Sequence, residues 1–165
     1  MADSGDTYLS EAVDRLLAGL MALNGDGQRP IIVKAQKNLL PLPTRYPFII
    51  AYQGGFQVQL SDEGDSYQRQ EFVVTLRYIL ARVEEGLNGY YQNRLWVDQV
   101  TILNWINDHP TLIFEPGQDD IDELHPDGVF ATGGTRLGVF RDDPVHIGVE
   151  FSVTLPFHVT RDMVW

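Results

Sequence analysis

Residues 145–155 read VHIGVEFSVTL, and this stretch decides the fold class of the protein. Every second position is apolar: Val145, Ile147, Val149, Phe151, Val153 and Leu155. A period of two predicts a β-strand with one buried face. Residues 136–140 form the preceding strand, and Asp142, Asp143 and Pro144 mark a turn between the two. We therefore expect a long antiparallel β-hairpin at the C-terminus.

Three earlier segments, residues 31–33, 46–52 and 72–80, also have the composition of strands. In the third, one face of the extended chain is wholly apolar: Phe72, Val74, Leu76, Tyr78 and Leu80. A further short strand is expected at residues 111–114. Residues 54–69 form either a long polar connection or a β-hairpin arm, because Phe56, Val58 and Leu60 alternate with polar residues.

Two segments show helical periodicity. In residues 7–23, apolar residues recur at spacings of four and three on one stripe: Leu9, Val13, Leu16, Leu20 and Leu23. In residues 90–107, a similar stripe holds Tyr91, Leu95, Ile102 and Ile106. Trp96 and Trp105 lie outside that stripe; they either widen the buried face or form a subunit contact, and the first alternative is favoured.

The order of elements is helix, two strands, a strand, a helix and then two or three strands. Consecutive strands tend to be neighbours, so we expect a mixed or antiparallel sheet with both helices on one face, an α+β fold. Residues 1–165 are predicted to form a single domain, with possible arms at residues 53–69 and 158–165 and an acidic loop at residues 115–132.

The chain is acidic, with 12 basic and 23 acidic residues and a net charge of −11. This balance argues against a protein that grips nucleic-acid phosphates, since such a surface needs clustered Lys and Arg, and against attachment to anionic lipid. Residues 1–60 hold five acidic and five basic residues, so the surplus lies after Leu60. Nine of the later acidic residues fall within residues 62–65 and 115–127, which are predicted loops.

The sequence offers little catalytic chemistry. It contains no cysteine, and its four histidines lack the spacing of a zinc site. There is no phosphate-binding glycine motif and no nucleophile elbow. The acidic loop is the one candidate site, because Asp119, Asp120, Asp122 and Glu123 offer oxygen ligands for calcium, but they depart from the EF-hand spacing. We favour a solvated loop and predict no catalytic, cofactor or metal-binding residues.

No targeting segment is expected. The first six residues, MADSGD, lack the basic and apolar regions of a signal peptide. No apolar run approaches the roughly 18 residues that a membrane span needs. We therefore expect a soluble protein that is made inside the cell.

Four motifs and the leading helix together resemble a known family. The motifs are YPFIIAY at residues 46–52, FVVTLRYILAR at 72–82, INDHPTL at 106–112 and VHIGVEFSVTLPF at 145–157. In order and hydrophobic pattern they resemble the tail terminator or tail-completion proteins of long-tailed bacteriophages, the group related to the lambda minor tail protein U. The resemblance covers most of the chain. Residues 54–69 and 115–132 depart from the family in length and acidity.

The resemblance implies a structural virion protein with no catalytic residues to carry over. Members of the family form hexameric rings that cap the tail tube and meet the head connector, and DNA passes through the ring without specific binding. It therefore implies a homohexamer, located in the neck of the virion and made in the host cytoplasm.

Candidate residues for the lumen or the subunit interfaces are Asp119, Asp120, Asp122, Glu123, Phe56, Val58 and Trp165. An acidic lumen would repel phosphate and let the genome slide through. Two alternatives stay open: another adaptor protein of the phage neck, and a small-molecule-binding α+β domain unrelated to phages.

Overall fold

The fold is described from a computed structural model, which describes residues 4–24, 29–37, 41–60, 67–83, 89–113, 117–121, 124, 128–139, 143 and 145–160. Two helices and five strands follow one another along the chain. The elements are α1 (Ser4–Met21), β1 (Lys34–Gln36), β2 (Phe48–Leu60), β3 (Tyr67–Arg82), α2 (Gly89–Asp108), β4 (Phe130–Val139) and β5 (His146–Thr160).

The five strands form one mixed sheet in the order β1-β2-β3-β5-β4. Strand β1 is parallel to β2, and the other pairs are antiparallel. The hairpin of β4 and β5 confirms the long C-terminal hairpin, and β5 pairs with β3 along its whole length, from His146 to Thr160. The predicted α+β class is therefore confirmed.

Both helices pack on the same face of the sheet, here called the inner face. Alternate residues of β3 and β5 meet the helices there, as the period of two requires. One buried cluster joins residues from both helices to the central strands, among them Leu16, Leu20, Leu95, Ile102, Ile106, Val74, Leu76, Tyr78, Val149, Phe151 and Val153. Strand periodicity and helical periodicity thus converge on one core.

Two predicted strands are not strands. Ile31 and Ile32 are buried but precede β1, because the backbone around them bonds to loops: the amide of Ile31 donates to the Leu23 carbonyl, and that of Val33 to the Pro47 carbonyl. Residues 111–113 are also irregular, and Leu112 has a φ of 57°, which an extended strand does not allow. Residue 114 lies outside the described residues.

Strands β2 and β3 are longer than the predicted segments, because residues 54–60 and 67–71 continue the ladder. The pairing runs from Phe48 with Ile79 to Leu60 with Gln68, with an irregularity between Gln53 and Gly55. At this irregularity a side chain on Gly54 would collide with the Thr75 hydroxyl, so the position needs glycine. Of the two alternatives for residues 54–69, the structure shows the hairpin strands.

The other face of the sheet, the outer face, has no helix over it among the described residues. Phe48, Ile50 and Ile79 are nevertheless buried there, because Tyr46 and Tyr52 pack against them. This small cluster lies at the β1 end of the outer face. None of the described helices is long and apolar enough to cross a membrane.

Candidate interaction surfaces

Two of the four acidic-loop candidates lie in the described part of the chain. Asp119 and Asp120 are both exposed to solvent, and Asp122 and Glu123 lie outside the described residues. The Arg15 side chain donates a hydrogen bond to the backbone carbonyl of Asp119 at 2.6 Å, which ties this segment to α1. Asp119 itself remains exposed to solvent. Within the described ranges, no group of three acidic or histidine side chains is arranged to hold a metal ion.

The other candidates belong to strands or to the tail. Phe56 and Val58 lie in β2, opposite Phe72 and Gln70 of β3. Both therefore occupy positions of the extended β2–β3 hairpin. Trp165 lies outside the described residues.

The sheet ends in two unlike edges. On one side, β1 pairs with the first three residues of β2, so residues 51–60 of β2 have a described strand partner on one side alone, namely β3. On the other side, β4 pairs with β5 and has no further neighbour among the described strands. An open edge presents unpaired backbone N–H and C=O groups that a strand of another chain can bind.

An apolar stripe covers the solvent side of α2. Trp96 has 59% of its surface exposed, and Val97 and Val100 are exposed to a similar degree. The prediction that Trp96 widens the buried face is therefore wrong, whereas Trp105 is partly buried against the core. An exposed tryptophan with apolar neighbours is a feature of interaction surfaces, since monomers seldom expose contiguous large apolar groups.

The direction of this stripe follows from Asn107. Its amide oxygen accepts from the Ala131 backbone at 2.8 Å, so this side of α2 flanks β4. Val100 lies seven residues before Asn107 and Trp96 eleven before, which at 100° per residue places all three within about 20° of the same helical direction. Trp96 and Val100 therefore face the side of the molecule that carries the β4 edge.

A pocket opens on the opposite side of the molecule, between α1 and β2. Its volume is about 160 Å³. The lining is mostly apolar: Leu9, Val13, Ala51, Tyr52, Phe72, Val73 and Val74, with Lys37 also present. The Lys37 ammonium bonds to the Ser10 hydroxyl at 3.1 Å and to the Asp14 carboxylate at 2.8 Å. The pocket thus has apolar walls and a positive charge near α1.

The inner side of α2 holds a buried ionic network around Asp98. The carboxylate is 1% exposed. It accepts a hydrogen bond from the Tyr78 hydroxyl at 2.8 Å and from Arg29 at 3.2 Å, and Arg94 lies 3.5 Å away. Arg29 Nη1 and Arg94 Nε are buried without a hydrogen-bond acceptor in the described chain. One carboxylate therefore interacts with two guanidinium groups, and its contacts fix α2 to β3 and to the segment before β1.

Burial raises the pKa of Tyr78 well above its ordinary value of 10.0, and the neighbouring Asp98 carboxylate raises it further, because a second negative charge there is unfavourable. The hydroxyl also lies 3.2 Å from the Ile31 carbonyl oxygen. Tyr78 consequently stays protonated and acts as a hydrogen-bond donor in the core.

Polar side chains on the outer face join neighbouring strands. Arg77 of β3 binds Glu150 of β5 with its Nε at 2.9 Å, and the guanidinium lies 5.7 Å from the centre of the Tyr52 ring. Burial raises the pKa of the Tyr52 hydroxyl, while Arg77 acts in the opposite direction. Because Tyr52 therefore stays protonated at neutral pH, this cluster connects three strands but contains no activated nucleophile.

His146 connects the sheet to two loops. Its Nε2 lies 2.8 Å from the Tyr46 hydroxyl, and its Nδ1 lies 2.6 Å from the Asp143 carboxylate. The chain of Tyr46, His146 and Asp143 has the connectivity of a relay, but its tyrosine packs on the buried Phe48 at 5.4 Å between ring centres. The arrangement closes the small outer cluster and holds the His146 ring edge-on against Phe48.

Comparison with known proteins adds no relative: no family model matches the chain, and no curated protein matches it significantly.

Sequence reasoning missed the Asp98 network and the exposed stripe. A signal for the first was present, because Asp98 lies between Leu95 and Ile102 at helical spacing, in the middle of the predicted apolar stripe. The corresponding signal for the second is that Trp96, Val97 and Val100 fall on the opposite side of that helix. Partners such as Arg29 and Tyr78 are distant in sequence, and only the fold brings them together.

Proposed function

We propose that this protein is a structural component of a phage virion, a tail terminator that forms a ring on the tail tube and joins it to the head connector. The observation that carries the proposal is the pair of unlike open edges at opposite sides of one sheet. A contact between two different surfaces, repeated by rotation, closes into a ring. The family resemblance supplies the place of that ring in the virion.

The β2 edge has the composition of a strand that can pair with a strand of another chain. Residues 48–60, FIIAYQGGFQVQL, contain no charged residue and no proline. Proteins that stay monomeric protect such edges with lysine, proline or very short strands. Ten residues of β2 lie beyond the part that β1 covers, and β4 on the other side is also ten residues long. The Asn107 side chain already binds the backbone of Ala131 in β4, so the part of the β4 edge that can pair with a neighbouring copy lies after Ala131.

The charge supports a conduit for DNA. Asp119 and Asp120 project into solvent, and the chain as a whole carries a net charge of −11. If the acidic segment lines the lumen, it repels phosphate and keeps the genome from adhering.

The test of the ring is the mass of the purified protein by light scattering, together with electron micrographs. We expect a closed ring, hexameric as the resemblance implies. A matched variant is Gln57→Lys, which places a positive charge on the open β2 edge. Position 57 is paired with Glu71 of β3, so the lysine has a favourable cross-strand partner within its own chain. It should keep the fold and shift the mass towards that of the monomer. A wild-type protein that stays monomeric at its highest soluble concentration would contradict the proposal.

Binding assays separate the terminator from the alternatives. A terminator binds purified tail tubes of its own phage and stops their extension, whereas another neck adaptor binds the connector and leaves tube length unchanged. A monomer that takes up small apolar compounds in the α1–β2 pocket would instead favour a small-molecule-binding domain.

The conduit is tested by reversing Asp119, Asp120, Asp122 and Glu123 to Lys in the phage. We expect assembled particles with impaired DNA passage, measured as slower genome ejection. Asp108→Lys is the matched control, since Asp108 is also exposed and lies at the end of α2. Normal ejection in the fourfold variant would exclude a lumen role for these residues.

A further inference from the structure

The exposed indole of Trp96 and the α1–β2 pocket lie at opposite sides of the inner face. Trp96 faces the β4 side of the molecule, where Asn107 binds Ala131. The pocket lies beside β2, which the strand order places on the far side of the sheet. A protruding side chain at one end of a molecule and a pocket at the other end can form a head-to-tail contact between two copies.

The pocket has the size of an aromatic ring. Its volume is about 160 Å³, and an apolar cavity of about 150 Å³ is large enough to hold benzene. Its walls are side chains of both layers: Leu9 and Val13 come from α1, whereas Ala51 and Val74 come from the sheet. A pocket of this kind binds the flat apolar part of a side chain and leaves its polar atom at the mouth.

Lys37 adds a preference for an aromatic group over an aliphatic one. Its ammonium is close to α1, where it bonds to Ser10 and Asp14 and is 43% exposed. A cation beside an aromatic face is attracted by the ring electrons, and tryptophan is the strongest partner for this interaction. An indole in the pocket would therefore contact apolar walls and could present its face to the Lys37 ammonium, which also binds the Asp14 carboxylate.

Trp96 is a large aromatic group placed to reach such a pocket. It is 59% exposed on the surface of a regular helix, so its position is set by a rigid element, and the exposed Val100 lies beside it. Tryptophan is enriched among the residues that dominate binding energies at protein interfaces.

We propose that Trp96 of one copy inserts its indole into the α1–β2 pocket of the next copy, with Val100 packing at the rim. This inference rests on the proposed ring and specifies its contact. A neighbour that adds its β4 strand to the β2 edge would carry its own α2 on the same face, next to α1 of the first copy. The two contacts are therefore compatible in one head-to-tail interface.

Cysteine cross-linking tests the contact, because the chain has no cysteine of its own. The Val100→Cys variant, which keeps Trp96 and places the thiol at the rim of the contact, and the Leu9→Cys variant are prepared separately and then mixed under mild oxidation. We expect a disulfide-linked dimer in the mixture and none with either variant alone. Thr101→Cys, on another side of α2, is the control for Val100→Cys and should give no dimer with Leu9→Cys. If Leu9→Cys fails to fold, Ser10→Cys replaces it, because Ser10 is exposed and lies beside Lys37 of the pocket lining.

Self-association gives an independent measure. Trp96→Ala should weaken it by at least about 30-fold, the effect of losing one dominant interface residue, while the thermal transition of the monomer stays unchanged. Ala51→Leu, which fills the pocket from inside, should weaken association without altering Trp96. An unchanged association constant in Trp96→Ala would overturn the proposal.

The outcomes separate this contact from the ring itself. A ring whose mixed variants do not cross-link would overturn the Trp96 contact and leave the ring standing. Cross-linking of Val100→Cys with itself would indicate a twofold contact and also overturn it. A wild-type protein without self-association would overturn both proposals. Dimers confined to the mixture, together with a ring, would support both.

Discussion

Helices α1 and α2 cover the same face of the sheet, but they distribute charge in opposite ways. Helix α1 buries apolar residues such as Leu16 and Leu20 and exposes Glu11 and Asp14. Its ion pairs lie at the surface, between Arg15 and Glu11 and between Lys37 and Asp14. This is the usual arrangement for a helix with one side in water.

Helix α2 inverts part of this arrangement. It buries the carboxylate of Asp98 and exposes Trp96, Val97 and Val100. Buried ion pairs contribute little net stability because desolvation offsets their attraction, whereas breaking one is costly. The exposed apolar groups gain nothing while they face water. In the proposed ring the two helices therefore have different roles: α2 presents exposed apolar side chains, and α1 lines the pocket that receives Trp96.

The largest effect should come from removing the buried charge of α2. Asp98→Ala leaves the guanidinium groups of Arg29 and Arg94 without their counter-charge, and we expect a loss of about 3–5 kcal/mol in the free energy of unfolding. The matched change in α1 is Asp14→Ala, which breaks an exposed pair with Lys37 and should cost no more than about 1 kcal/mol. Urea denaturation of both variants measures the difference. Equal losses would show that the two helices do not differ in the way proposed.

A smaller effect should come from the hydroxyl of Tyr78. Tyr78→Phe removes a buried donor to Asp98 and should cost about 1–3 kcal/mol. Alkaline pH reports on the same contact. Because the pKa of Tyr78 is raised in the folded state, both states hold the proton below about pH 10, and above it the unfolded chain loses the proton first.

The stability that Tyr78 contributes is therefore present below about pH 10 and is lost as the pH rises towards its folded pKa. Thermal melts of the wild type at increasing pH should show this loss, and Tyr78→Phe should show a shallower one. Tyr52→Phe is the control, because the pKa of Tyr52 is also raised. Identical slopes in Tyr78→Phe and the wild type would mean that Tyr78 does not govern the alkaline limit.

The smallest effect on monomer stability should come from the exposed stripe. Val100→Lys replaces an apolar group in water on a helix, and surface changes of this kind usually lie within about 0.5 kcal/mol. Self-association should nevertheless fall, since a charge would lie at the rim of the proposed contact. Unfolding and sedimentation of the same sample separate the two quantities. A destabilised monomer with normal association would place Val100 in the core rather than at an interface.

Elements with a strong hydrophobic periodicity were predictable from the sequence. The alternation in residues 145–155 and the leucine spacing of α1 each have one structural solution, and the structure contains both. The failures are segments whose backbone bonds to loops: Ile31 and Ile32 have strand composition, but the amides of Ile31 and Val33 donate to the carbonyls of Leu23 and Pro47. A short apolar run has no period long enough to exclude this alternative.

The candidate surfaces were less predictable than the fold. Asp119 and Asp120 were predicted as a solvated loop and are exposed, but Trp96 was expected in the core. The exposure of Trp96 depends on which side of α2 faces the sheet. Asp98 lies on the side that faces the sheet, where its carboxylate binds Tyr78 and Arg29. These partners lie 20 and 69 residues away in sequence.

By itself the sequence determined the α+β class, the long terminal hairpin and the acidic surplus after Leu60, because periodicity and composition are local properties. The tertiary structure decided the strand order, the two open edges and the pocket opposite Trp96. Each of these depends on which distant segments meet. That choice is made by the packing of the whole core, and no single segment contains it.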